Sequence, residues 1–181
     1  MHMKADECNI SGNSTGTTTD TLVSALSAPS IRVRRHAIIT LGMRKQKDAV
    51  PHLVAILSDV DHRTRALVAF ALGKIGDRGA VAGLLSALDE STSEDRGWII
   101  RALRDIGDRK AIPAIRKFLS SDDWESRWDA AEALAKFGDV EALSVLRALE
   151  RDEQVPEDLR SCIPEIISRI EGSNTTYHEC E

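Results

Sequence analysis

Asp61-His62-Arg63-Thr64-Arg65-Ala66-Leu67-Val68-Ala69-Phe70-Ala71-Leu72-Gly73-Lys74-Ile75-Gly76-Asp77 is the stretch on which the fold turns. It opens on an aspartate, whose short side chain can accept the unpaired backbone N–H groups of a first helical turn. It closes on a glycine, which takes the left-handed conformation at a helix end without steric cost. Between them Val68, Ala69, Leu72 and Ile75 follow an i, i+1, i+4, i+7 spacing, one apolar stripe on a helix. The stretch therefore predicts one complete helix with its start and stop signals.

The same elements recur at a fixed interval. Leu72-Gly73 has counterparts at Leu41-Gly42, Leu103-Arg104 and Leu134-Ala135, and Arg65 at Arg34, Arg96 and Arg127, every step being 31 residues. Ser30, Asp61, Thr92 and Asp123 form the start column. Gly76, Gly107 and Gly138 form the stop column, with Asp77, Asp108 and Asp139 after them. The stripe recurs as Ala37, Ile38 and Leu41, as Ile99, Ile100, Leu103 and Ile106, and as Ala130, Ala131, Leu134 and Phe137. Arg44 interrupts it, so the first unit packs less well or caps the array. These are the B helices.

An A helix precedes each B helix. Its apolar columns are Leu22, Leu53, Leu84, Ile115 and Leu146; Leu26, Leu57, Leu88 and Leu119; and Val50, Val81, Ile112 and Leu143. Spacings of three and four put them on one face. Pro51 and Pro113 share a column, and proline is tolerated only where a helix has just begun, which sets the A starts near Asp48 and Lys110. Neither helix can bury its stripe alone; stacked pairs bury one continuous core. A repeat of this length predicts an all-α solenoid of about five helix pairs. The units run over about 20–47, 48–76, 77–107, 108–138 and 139–172, with polar tails at 1–19 and 173–181, the first of them expected to be disordered. In the last unit Arg160, Ile163, Ile167 and Ile170 keep the B pattern only if two residues are inserted near Glu153 to Glu157. With Pro164 early in it, the closing helix is expected to be short or kinked and to end near Gly172.

Composition narrows the function classes. Aromatic residues are only 4%, so the core is aliphatic and alanine-rich. The net charge of -5 disfavours general nucleic-acid or anionic-membrane binding. That charge is uneven: residues 20–78 sum to +5 and residues 79–181 to -9. Solvated helix faces account for this, or a polarised docking surface or head-to-tail association. Cys8, Cys162 and Cys180 are scattered, against a disulfide framework or zinc site and in keeping with a reducing compartment. No apolar run approaches the ~20 residues of a membrane span. The start of the chain has no signal-peptide pattern. A cytoplasmic protein with no membrane and no metal partner is expected.

Segments such as Val68 to Asp77 and Ala130-Ala131-Glu132-Ala133-Leu134-Ala135-Lys136-Phe137-Gly138-Asp139 resemble HEAT repeats. They look most like the short class found in phycocyanin-bilin lyase subunits, with its arginine followed by "AA-x-ALG-x-IGD". The resemblance covers about Asp20 to Gly172. It implies a right-handed superhelix of antiparallel helix pairs, with A helices outside and B helices lining the concave face.

Binding residues are sought in two places. The arginine column Arg34, Arg65, Arg96 and Arg127 suits either a row of anion-binding guanidiniums or a ladder tying each unit to its neighbour's loop. A residue present in every unit serves what every unit does, so we read it as a structural inter-repeat ladder. Function is expected where the units differ. Two, five and nine residues after each arginine, the helical wheel points away from the stripe. Ile39, Met43, Leu67, Phe70 and Trp98 stand there on three successive B helices, with Arg101, Asp129 and Glu132 alongside and Trp128 at the flank. Exposed apolar surface with aromatics and arginine is the composition of a binding patch. The expected partner is another protein, with Trp98 and Phe70 as anchors.

Catalysis finds little support. The five histidines are scattered, with no His-x-x-x-His or Cys-x-x-Cys spacing, no phosphate loop and no nucleophile elbow. The HEAT-type deoxyhypusine hydroxylases use repeated His-Glu pairs for di-iron, and here the only such pair is His178-Glu179 in the tail. The leading expectation is a non-catalytic interaction scaffold with no cofactor. The alternative is a bilin-lyase-like or chaperone subunit acting on a tetrapyrrole-bearing protein.

Overall fold

The computed structural model describes residues 18–58 and 61–175, with side chains through 172. Most of both expected tails, with Cys8 and Cys180, lies outside the described residues.

Ten α-helices follow one another, with no strand among the described residues. The A helices are short: α1 (Thr19–Ala25), α3 (Val50–Ala55), α5 (Val81–Asp89), α7 (Ile112–Arg116) and α9 (Ala142–Leu149). The B helices are longer: α2 (Ile31–Met43), α4 (His62–Ile75), α6 (Ser93–Ile106), α8 (Trp124–Lys136) and α10 (Glu157–Thr175). Each B helix packs on the A helix of its pair, and α2, α4, α6 and α8 pack on one another in order. The result is a solenoid of five antiparallel helix pairs, two layers deep.

Local chemistry accounts for each boundary. Asp61 caps α4 by accepting the backbone N–H groups of Arg63 and Thr64, and Asp123 caps α8 by accepting that of Ser126. At α6 the Asp95 carboxylate reaches back to the Thr92 backbone N–H (2.8 Å). Ser30 holds the same position before α2 but makes no side-chain cap bond. Each of α3, α5 and α7 is entered through a 3-10 turn, with Asp77 and Asp108 accepting from Gly79 and Lys110 ahead of α5 and α7. Pro51 and Pro113 sit in the first turns of α3 and α7, where no N–H is needed. Gly76, Gly107 and Gly138 are left-handed, and in the first unit the same column holds Lys45, at φ 51°.

The core is the set of shared columns. Leu22, Leu53, Leu84, Ile115 and Leu146 are all buried, as are Ile38 and Leu41, Ala69 and Leu72, Ile100 and Leu103, and Ala131 and Leu134. The B helices meet through small residues: a Cβ on Gly42 would lie 2.7 Å from the Ala71 Cα.

The closing helix departs from expectation. It is neither short nor finished at Gly172: α10 has 19 residues, the most of any helix among the described residues, and runs to Thr175 with Pro164 inside it. Pro164 lacks the N–H that would bond the Arg160 carbonyl. Burial of Ile163 and Ile170 holds the helix across that gap. At the other end, Thr18 accepts from the Thr21 N–H and starts α1 at Thr19, just ahead of the expected boundary.

Candidate protein-binding groove

The faces of α2, α4 and α6 turned away from the A helices enclose a groove of about 650 Å³. Its floor and walls are Ile39 from α2, Ala66, Leu67 and Phe70 from α4, and Trp98 from α6. Ile39 and Trp98 are exposed, at 39% and 42%, and Leu67 and Phe70 are half-buried. None is sealed in the helix packing. Phe70 and Trp98 meet edge to face, with ring centroids 6.1 Å apart and planes at 85°. Lys74 lies 5.3 Å over the Phe70 ring, and the Arg101 guanidinium 5.5 Å over Trp98. Met43, at 64% exposure, stands beyond this floor near the C-terminal end of α2.

Three expected members are placed differently. Trp128 is not at an exposed flank: it is 7% exposed and part of the core, because α8 is covered by α9 and α10. Asp129 is 5% exposed and is not a free rim carboxylate. It accepts from Arg101 Nε at 2.9 Å across the α6–α8 seam, and its Oδ2 fills the space beside Gly97, where a Cβ would come within van der Waals overlap. Burial pushes the Asp129 carboxyl above the usual carboxylate range against the pull of Arg101. Glu132 is half-buried and accepts from Arg104 at 2.5 Å, so it too is engaged between helices.

The groove has polar members that the sequence reasoning missed: Arg35, His62, Arg63 and Glu94, near the N-terminal ends of the B helices. The signal lay in the positions just before and just after the arginine column. Arg35 donates to the Thr64 hydroxyl and to Asp61, and His62 pairs with Glu94. The Thr64 hydroxyl, the Thr64 and Arg63 N–H groups and the Arg35 charge together hold the Asp61 carboxyl below the usual range.

The arginine column lies away from the groove floor. Arg65 Nε is 2.9 Å from the buried Asp95 carboxylate of the next unit, close enough for ion pairing though its N–H is not aligned on the oxygen. Arg96 reaches Asp123 and the Ser126 hydroxyl of the next unit, at 3.3 and 3.0 Å. Arg127 donates to the Ser121 and Asp122 carbonyls and to Asp152 beyond α9. Arg34 donates to the carbonyls of Ala28 and Pro29 in its own loop.

Among the described residues no three His, Cys, Asp or Glu side chains converge as a metal site, and no helix is long and apolar enough to cross a membrane. Cys162 is exposed and its thiol donates to the Asp158 carbonyl.

The comparisons with known proteins agree with this architecture. No curated protein sequence matches the chain. Among solved structures, the complex of CpcE and CpcF of phycocyanin lyase from Nostoc sp. PCC7120 is similar at 24% identity and TM-score 0.63, over 80% of this chain and 61% of that one. This chain thus spans about three fifths of that one's length. An engineered protein is similar at 23% identity and TM-score 0.63, over 84% and 78% of the two chains. A designed armadillo repeat protein follows at 16% identity and TM-score 0.59, over 84% and 82%. At such identities the likeness is one of fold. The family model for HEAT repeats matches residues 19–104 and 81–163, most of the chain. With the repeated columns, the stacked helix pairs and that match together, the chain belongs to the HEAT-repeat family.

Proposed function

We propose that the protein is a non-catalytic interaction scaffold that grips another protein through the B-helix groove. One observation carries this reading: Ile39, Leu67, Phe70 and Trp98, from three successive repeats, line one accessible apolar groove of about 650 Å³. The stack does not require a tryptophan or phenylalanine at these positions, since the other units hold His36, Leu67 and Asp129 in the Trp98 column and Ile39, Arg101 and Glu132 in the Phe70 column. A half-exposed Trp beside Phe and Arg is the composition of an interface hot spot. The scattered cysteines support a reducing compartment, the cytoplasm.

The test is co-purification from the native source with wild type and with a Phe70→Ala/Trp98→Ala variant. A partner held by the wild type and lost by a variant that melts at nearly the same temperature supports the reading. A partner retained by the variant sinks it.

A second reading is a subunit that acts on a tetrapyrrole-bearing protein. It draws support from the likeness in fold to the CpcE–CpcF complex and from a groove volume within the range of small-molecule sites. Absorbance of protein co-expressed with candidate chromophores separates the two: bound pigment favours this second reading.

A further inference from the structure

We propose that the groove takes an acidic amphipathic helix, about three turns long, laid across α2, α4 and α6. This rests on the groove being the binding surface, and adds the chemistry of what enters it.

The length follows from the packing. Neighbouring helix axes stand about 8–10 Å apart, so a floor drawn from three successive B helices spans roughly 16–20 Å. At about 1.5 Å per residue that is some 11–13 residues of helix, enough for apolar anchors at i, i+4 and i+7. Ile39, Leu67 with Phe70, and Trp98 offer one contact zone per B helix along that path.

The charge follows from which rim groups are left without a counterion. Arg63 and Lys74 are exposed, and neither has a carboxylate partner among the described residues. Arg63 flanks the floor near the N-terminal end of α4, and Lys74 flanks it near the other end, over Phe70. Arg35 adds a third cation, shared with Asp61. Of the acidic groups nearby, Asp129 is paired with Arg101 and Asp61 with Arg35, while Glu94 contacts His62 and keeps its own charge unless that imidazole is protonated. The floor is thus apolar and its surround carries more positive than negative charge, Arg35, Arg63 and Lys74 against Asp61 and Glu94, which complements a helix carrying an apolar stripe between acidic flanks.

The experiment uses the full chain and three fluorescein-labelled synthetic helical peptides: one with a leucine stripe flanked by glutamates, the same stripe flanked by lysines, and a scrambled glutamate peptide. Anisotropy is followed with wild type, Trp98→Ala, and the charge-reversal variant Arg63→Glu/Lys74→Glu, whose changes are on exposed side chains. The glutamate-flanked peptide is expected to bind about tenfold tighter than the others, more weakly as salt rises, with the preference inverted by the charge-reversal variant. Equal binding of the glutamate and lysine peptides, both abolished by Trp98→Ala, overturns the acid selection and leaves the groove standing. Binding that Trp98→Ala does not change overturns the groove itself. No binding of any peptide overturns the inference, as does a concentration-dependent dimer in sedimentation that the charge-reversal variant dissolves, since a second copy would then occupy the site.

Discussion

A methyl group at position 42 is the sharpest probe of how the repeats stack. Built on the Gly42 backbone it would lie 2.7 Å from the Cα of Ala71 and 2.8 Å from its Cβ. Carbon atoms pack best at about 3.5–4.0 Å, so α2 must back away from α4 by roughly 1 Å, and Ala71 cannot yield because its contact atom is backbone. A gap of that size forfeits about a quarter to a half of each dispersion contact along the seam, and overpacking of this kind costs about 1–3 kcal/mol. Alanine in a helix is favoured over glycine by up to about 1 kcal/mol, less near a helix end. The steric loss wins, and Gly42→Ala should destabilise by about 1–2 kcal/mol, lowering the melting temperature by about 2–8 °C. Gly73→Ala is the control: its Cβ would sit 3.0 and 3.3 Å from Ala102 atoms, a smaller misfit that the helix-propensity gain nearly offsets. Urea unfolding followed by circular dichroism measures both. Because solenoid stability is close to a sum over neighbouring units, Gly42→Ala should also broaden the transition by loosening the first pair from the rest. A Gly42→Ala variant as stable as wild type, or less perturbed than Gly73→Ala, refutes this account of the B-helix contact.

Other positions give further expectations. Lys45 stands at φ 51° in the column that elsewhere holds left-handed glycine, so Lys45→Gly should stabilise by about 0.5–1 kcal/mol in the same urea assay; a loss of stability contradicts it. Asp95→Ala removes a fully buried carboxylate that serves both the α6 N-terminus and Arg65, and should cost about 2–4 kcal/mol, whereas Asp89→Ala, at an exposed pair with Lys117, should change stability by less than about 1 kcal/mol. The Asp129 carboxyl is raised in the folded state, so its contribution to stability is full below the ordinary carboxylate value and lost as pH rises through the folded one. Asp61 and Asp123 have the opposite sign. Partial burial, which alone would raise Asp123, is outweighed by hydrogen bonds from Ser126 and Ser121 and by the Arg96 charge, and both carboxyls lose their contribution as pH falls through their lowered values. Asp129→Asn should therefore remove a stability decline that sets in as pH rises above the ordinary carboxylate range, while leaving the acid-side loss in place, as read from melting temperature against pH.

The fold was legible because the residues that build it recur. Leu53, Leu72 and Gly76 each belong to a column, and a column at a constant interval identifies core and cap without any pair contact being known. The closing helix escaped that logic. Pro164 suggests a short or broken helix when local preference is weighed alone, but Ile163 and Ile170 are buried on the preceding pair, and packing outweighs one missing backbone bond.

The groove was legible only in part, for the same reason. Apolar side chains in columns that turn charged in the later repeats, at Arg101, Asp129 and Glu132, marked Ile39, Leu67, Phe70 and Trp98. Trp128 and Asp129 were misplaced because the helical wheel treats α8 as if it repeated α6. It has α10 beside it, and an unrepeated glycine, Gly97, leaves room for a carboxylate to turn inward. A glycine inside a helix, at neither cap, was the available sign of that close approach. Arg35 and Arg63 went unread because charged residues near helix starts are ordinary; only the geometry of the groove sets them beside its floor.

The claim at the centre is that residues common to the repeats build the stack and residues that differ on the B side hold a partner. Photo-crosslinking tests it most directly, with a photoreactive phenylalanine analogue placed at Trp98 in the groove and, separately, at the exposed Ala82 on α5. The account predicts that a purified partner, once identified by co-purification, forms a covalent adduct from position 98 and none from position 82. Adducts from position 82 with none from position 98 would contradict it.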